Sequence, residues 1–111
     1  MKHQTLELEI NLLHERVCSA LGDTTRIMIL YLLAENPLFV NEIAEKLDSP
    51  QSTISRHLRI LRERNLVNTD REGTSVQYSL KDARIIEALD ILRSLLNDQI
   101  QAEAAITRAK Q

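Results

Sequence analysis

Val40-Asn41-Glu42-Ile43-Ala44-Glu45-Lys46-Leu47, then Asp48-Ser49-Pro50, then Gln51-Ser52-Thr53-Ile54-Ser55-Arg56-His57-Leu58-Arg59-Ile60-Leu61-Arg62-Glu63-Arg64, reads as two short helices on either side of a tight turn. In the first, Ile43, Ala44 and Leu47 recur at helical spacing with Asn41, Glu42, Glu45 and Lys46 between them. Asp48 and Ser49 make the turn. Ser49 is the expected N-cap of the second helix and Pro50 its first residue, because a side-chain oxygen satisfies a free amide there and proline has none to lose. A pair of this kind, spanning about 40–64, is a helix-turn-helix unit.

At roughly 100° per residue, Ile54, Leu58 and Leu61 fall on one side of the second helix and form its core face. Gln51, Ser52, Ser55, Arg56, Arg59 and Arg62 fall on the other, with no acid in the first two turns. Residues 49–64 hold Arg56, Arg59, Arg62 and Arg64 against a single acid, Glu63, in a chain whose formal net charge is -2. Such a concentration of positive charge in one element is an electrostatic footprint for phosphate. Gln pairs with adenine and Arg with guanine, Ser adapts to either, and the first turns of such a helix approach the bases. The candidate DNA-binding residues are therefore Gln51, Ser52, Thr53, Ser55, Arg56, His57 and Arg59, with His57 at the border of the polar and core faces.

Beyond Asn65 the period changes. Leu66-Val67-Asn68-Thr69-Asp70-Arg71 and Ser75-Val76-Gln77-Tyr78-Ser79-Leu80 flank Glu72-Gly73-Thr74, which predicts a β-hairpin over about 66–80 with Gly73 in its turn. A hairpin in this place is a wing, and Arg71 beside its tip is a candidate phosphate contact. On the N-terminal side, Leu6, Ile10, Leu13, Val17 and Leu21 predict a helix over about 5–21, and Leu8 and Leu12 widen its stripe. Asp23 is placed to cap a second helix, which holds Ile27, Ile29, Leu30, Leu32 and Leu33 and ends before Asn36-Pro37. On the C-terminal side, Ile85, Ile86, Leu89, Leu92, Leu96 and Ile100 predict a long last helix over about 82–108.

The 111 residues read as one domain, 1–111, mainly α with a small β-hairpin, of winged helix-turn-helix class. The 3% aromatics and two glycines argue against an all-β fold. No apolar run approaches the roughly 20 residues that span a bilayer, and Met1-Lys2-His3-Gln4 lacks the apolar core of a secretory signal, so no membrane partner and a cytoplasmic location are expected. The lone Cys18 excludes an internal disulfide framework. No nucleophile-base pair, metal motif or phosphate loop is visible, so the chain is not expected to be an enzyme or to carry a cofactor.

Ala20-Leu21-Gly22-Asp23-Thr24-Thr25-Arg26, Glu42-Ile43-Ala44 and Gln51 to Leu58 together resemble the ArsR/SmtB repressors, over nearly the whole chain. Thr24 stands where those proteins usually have proline, and Ser-x-His-Leu at Ser55 to Leu58 is the more specific part. The resemblance implies a homodimer joined through its first and last helices, set on a palindromic double-stranded operator, and released by an inducer. The usual sensor ligands are missing. Leu38-Phe39-Val40-Asn41 replaces the metalloid cysteines, and Arg84, Leu95 and Asp98 stand at zinc-ligand positions although Asp82 is kept. The redox cysteines, one of them near Tyr31, are absent too, so the effector is unidentified.

His14 and Cys18, four apart on one helix face with His3 upstream, are the remaining candidates for a metal shared between subunits. Cys18 alone is a candidate redox thiol, against the commoner packed cysteine. A winged-helix module that binds protein rather than specific DNA is the alternative function; it would not require an acid-poor, arginine-rich helix face.

Overall fold

The structure, a computed structural model, describes residues 2–110. Its elements are α1 (Lys2–Leu13), α2 (Thr24–Glu35), β1 (Leu38–Phe39), α3 (Val40–Lys46), α4 (Gln51–Glu63), β2 (Val67–Glu72), β3 (Ser75–Leu80) and α5 (Arg84–Ala109). The helix-turn-helix and the hairpin stand where the sequence places them.

The first helix differs from the continuous 5–21 stretch that its apolar stripe predicts. It begins at Lys2, leaves α geometry after Leu13, makes a π-helical turn over His14–Cys18, and closes with a 3-10 turn over Ala20–Gly22. Local hydrogen bonds account for the break. The Ser19 amide reaches back five residues to the His14 carbonyl at 2.9 Å, while the Ser19 hydroxyl donates to the Glu15 carbonyl. Arg26 of α2 takes the carbonyl of Ala20 at 2.7 Å, a tertiary contact that no periodicity contains. Asp23 caps α2 as expected, its Oδ1 accepting from the Thr25 amide at 2.8 Å.

Both helices of the helix-turn-helix end in the same device. Asp48 and Asn65 adopt positive φ, 49° and 61°, a left-handed conformation that Asn and Asp tolerate better than other side chains. Beyond each, an amide closes a six-residue loop: Ser49 N–H to Ala44 O and Leu66 N–H to Leu61 O, both 2.9 Å. These are Schellman closures, and Leu66 lying over Leu61 supplies the apolar contact that accompanies them. The first closure corrects the expected start of α4. Ser49 is committed to ending α3, so Pro50 becomes the N-cap and Gln51 the first helical residue. The Pro50 carbonyl receives the Thr53 and Ile54 amides at 3.1 and 3.2 Å.

The sheet also holds more than the hairpin. Leu38 and Phe39 pair antiparallel with Tyr78 and Gln77, giving the order β1-β3-β2. Strand β1 covers the edge of β3 inside the domain and leaves the wing free beyond it. At the start of α3, Glu42, expected to face outward, turns back so that its Oε1 accepts the Phe39 amide at 2.9 Å. Helix α5 starts at Arg84 rather than 82, with Ala83 at its N-cap, and Asp82 just before it accepts the Arg84 amide at 2.9 Å. The Arg84 guanidinium and amide hold the Asp82 carboxyl down at about 2.

Ile29 and Leu30 of α2, Ile43 of α3, and Ile54, Leu58 and Leu61 of α4 are wholly buried around Ala20. Leu33, Leu38, Leu66 and Val67 extend this core toward the sheet. The amphipathic pattern of α4 is what fixes its rotation, since turning its apolar row outward would expose three side chains worth roughly 1.5–3 kcal/mol each.

Candidate nucleic-acid interface

The burial of Ile54, Leu58 and Leu61 sends the opposite face of α4 into solvent. Gln51, Ser52, Ser55, Arg56, Arg59 and Arg62 are all exposed there, as the spacing predicts. Thr53 and His57 are half-buried on the flanks. Among the described residues the carboxylate ion pairs are Arg84–Asp82 at 2.8 Å and Arg93–Asp90 at 3.2 Å, both away from α4. The guanidinium groups of Arg56, Arg59 and Arg62 are therefore not neutralised by acids of their own chain, and their charge is available to phosphate.

The wing is two-sided. Cross-strand partners share a face, so the register Val67↔Leu80, Thr69↔Tyr78 and Arg71↔Val76 puts Arg71 on the same side of the sheet as the core residues. Asp70 and Glu72, paired with Gln77 and Ser75, lie on the reverse. Gly73, at φ 63°, makes the turn beside Arg71. Between the start of α4 and the wing runs an open cleft of about 410 Å³ lined by Asn41, Gln51, Ser75, Val76 and Tyr78 among others, with no carboxylate in its wall. A larger recess of about 630 Å³ on the other side of the turn carries Glu45 and Asp48. The two carboxylates disfavour an anionic strand in the second recess, a repulsion that the uncharged wall of the first does not exert.

His57 is turned toward α2, where its Nδ1 lies 3.2 Å from Arg26 Nη1. Asp23 faces the same corner. Partial desolvation works against its charge, but the Thr25 amide and the Arg26 amide and guanidinium outweigh it and hold the carboxyl below the usual range. Sequence reading did not single out Arg26 as a working residue. The signal was there, as the one charge in the run Thr24 to Ala34 of an otherwise apolar helix. A second polar junction, Tyr31 with Asp90 and Arg93, ties α2 to α5.

His14 and Cys18 are both exposed on the π turn of the α1 arm. Among the described residues no three His, Cys, Asp or Glu side chains converge in a way that could hold a metal ion. No described helix is long and apolar enough to cross a membrane.

Residues 23–69, the stretch from the α2 cap to the start of the wing, match the model of the bacterial regulatory proteins of the arsR family. The transcriptional regulator MJ1325 of Methanocaldococcus jannaschii is 42% identical over 80 residues, covering 71% of this chain and 90% of that protein. The regulator NmtR of Mycobacterium tuberculosis is 44% identical over 71 residues, 64% of this chain but only 59% of its own length. Among solved structures, the homodimeric winged helix-turn-helix DNA-binding domain Mb0332 of Mycobacterium bovis superposes with a TM-score of 0.74 at 25% identity, covering 86% of this chain and 87% of that one.

Proposed function

The chain belongs to the ArsR family of DNA-binding transcriptional regulators, and from that premise we propose that it is a homodimeric repressor that reads a palindromic operator with the outer face of α4. The observation that carries the reading is that face: exposed arginines without acid partners, interleaved with the short polar side chains Ser52 and Ser55. Gln51, Ser52, Ser55 and Arg56, in the first turns, are the base-reading residues, with Thr53 beside them. Arg59 and Arg71 take phosphates on either side of the groove. Occupying the operator excludes polymerase.

What the single chain leaves uncovered supports the dimer. Among the described residues the exposed large hydrophobic side chains, Met28 apart, all sit on α1 and α5. Both helices carry broad apolar faces: Leu6, Ile10 and Leu13 with Leu8 and Leu12 on α1, and Ile91, Leu92, Leu95, Leu96 and Ile100 on α5. Apolar faces this broad need neighbours to cover them, which α1 and α5 of two subunits supply in a four-helix contact. A cytoplasmic location accords with this role.

The test is a titration of the protein against its own upstream DNA and a scrambled duplex of the same length, at two salt concentrations. The proposal expects tighter binding to the upstream duplex at both salts, with a log-log salt slope that reports the phosphate contacts. Equal, weak binding to both would favour the protein-binding alternative.

A further inference from the structure

One Arg26 guanidinium donates to two carbonyls and meets a third polar group, an imidazole nitrogen. Its Nε reaches the Ala20 carbonyl at 2.7 Å, Nη2 the Ser19 carbonyl at 3.4 Å, and Nη1 the His57 ring at Nδ1, 3.2 Å away. The two carbonyls close the end of the α1 arm and the imidazole stands on the reading helix. We propose that Arg26 is a positioning residue for operator recognition, which fixes the azimuth of α4 against the arm by holding the His57 imidazole as the neutral Nε2–H tautomer. The proposal rests on the operator-reading function above.

The tautomer follows from the inventory of donors. A guanidinium has five N–H groups and no acceptor, so the Nδ1 that faces it must present its lone pair, which leaves the ring proton on Nε2. A fork that is planar and always charged holds such an acceptor in one orientation, where a flexible ammonium would not. His57 lies on the α2-facing flank of α4, next in sequence to Arg56, whose side chain faces solvent. Pinning the one flank pins the other.

The magnitude favours an effect on base reading over an effect on overall affinity. With side chains, a helix has a radius of about 5–6 Å, so a turn of about 10° about its axis displaces a side-chain tip by about 1 Å. A bidentate base contact does not survive that displacement. Long arginines on phosphates follow it.

Two measurements test this. Nitrogen-15 NMR of the imidazole rings at about pH 8 reads the His57 tautomer in the unaltered protein. The second is the ratio of affinities for upstream and scrambled duplexes, in Arg26→Lys, His57→Ala and the double variant. The expected results are a single Nε2–H tautomer, replaced by a mixture in Arg26→Lys, and about a tenfold loss of upstream affinity in that variant with scrambled affinity held within about twofold. In the His57→Ala background Arg26→Lys should change the ratio no further. An Nδ1–H or mixed tautomer in the unaltered protein would overturn the proposal, and so would an Arg26→Lys effect of the same size with and without His57. If the unaltered protein does not distinguish the duplexes, it is the operator-reading function that fails, and the tautomer still decides whether the tie exists. Discrimination by the unaltered protein, with the ratio intact in Arg26→Lys, overturns the positioning role alone.

Discussion

The Tyr31 hydroxyl on α2 donates to Asp90 Oδ1 on α5 at 2.6 Å, and Arg93 completes the junction. Its Nη1 donates to the same oxygen at 3.2 Å while its guanidinium lies 5.2 Å over the Tyr31 ring. This is a polar tie between α2 and the last helix. Partial burial and the Asp90 carboxylate push the Tyr31 hydroxyl above its ordinary value. A raised pKa favours the protonated form, so this contribution is fully present below about pH 10 and fades only as pH rises through the folded value. Tyr31→Phe should therefore destabilise the protein by about 1 kcal/mol or less, given the exposure of the pair. Urea unfolding at neutral pH measures it. Asp90→Asn should cost a similar amount, and the double variant no more than either alone.

The arms α1 and α5 have too little core of their own to explain their apolar faces. Leu92 and Leu96 are 58% and 52% exposed in the single chain. Replacing either with Glu should shift the dimer toward monomer and weaken upstream binding by more than tenfold, because burying one charge at an apolar contact costs several kcal/mol. Sedimentation equilibrium reads the first effect. The domain should stay folded, with a cooperative thermal transition by circular dichroism, since the core around Ile29 and Leu58 contains neither leucine.

At the end of α4 the left-handed Asn65 offers a gain rather than a loss. Glycine takes φ near 60° without the Cβ penalty, so Asn65→Gly should be neutral or stabilise by up to about 1 kcal/mol. Asn65→Val at the same position should destabilise by about 1–2 kcal/mol. Thermal unfolding of the two variants separates them by sign.

The parts of this fold that were legible in the sequence are those set by local periodicity. The row Ile54, Leu58, Leu61 oriented α4 and gave the exposed polar face, and the change from period 3.6 to period 2 after Asn65 gave the wing. What escaped was set by partners distant in the chain. The turn over Ala20–Gly22 that follows the π turn is met by Arg26 of α2, which donates to the Ser19 and Ala20 carbonyls, and Arg26 itself looks like any surface arginine until His57 is beside it. Strand β1 is two residues long and exists because Tyr78 and Gln77 lie alongside. The cap of α4 was misplaced by one residue because Ser49 is favourable both as an N-cap and at the end of a Schellman closure, and only the left-handed Asp48 decides between them.

The central claim, that α4 reads bases while the wing holds phosphate, is tested most directly by comparing Arg56→Ala with Arg71→Ala across salt. The account predicts that Arg56→Ala lowers the ratio of upstream to scrambled affinity by about 10-fold or more, as for a lost bidentate base contact worth about 1–3 kcal/mol. Arg71→Ala should weaken both duplexes alike and flatten the salt slope by about one unit per binding site contacted. Equal losses on both duplexes from both variants would contradict it.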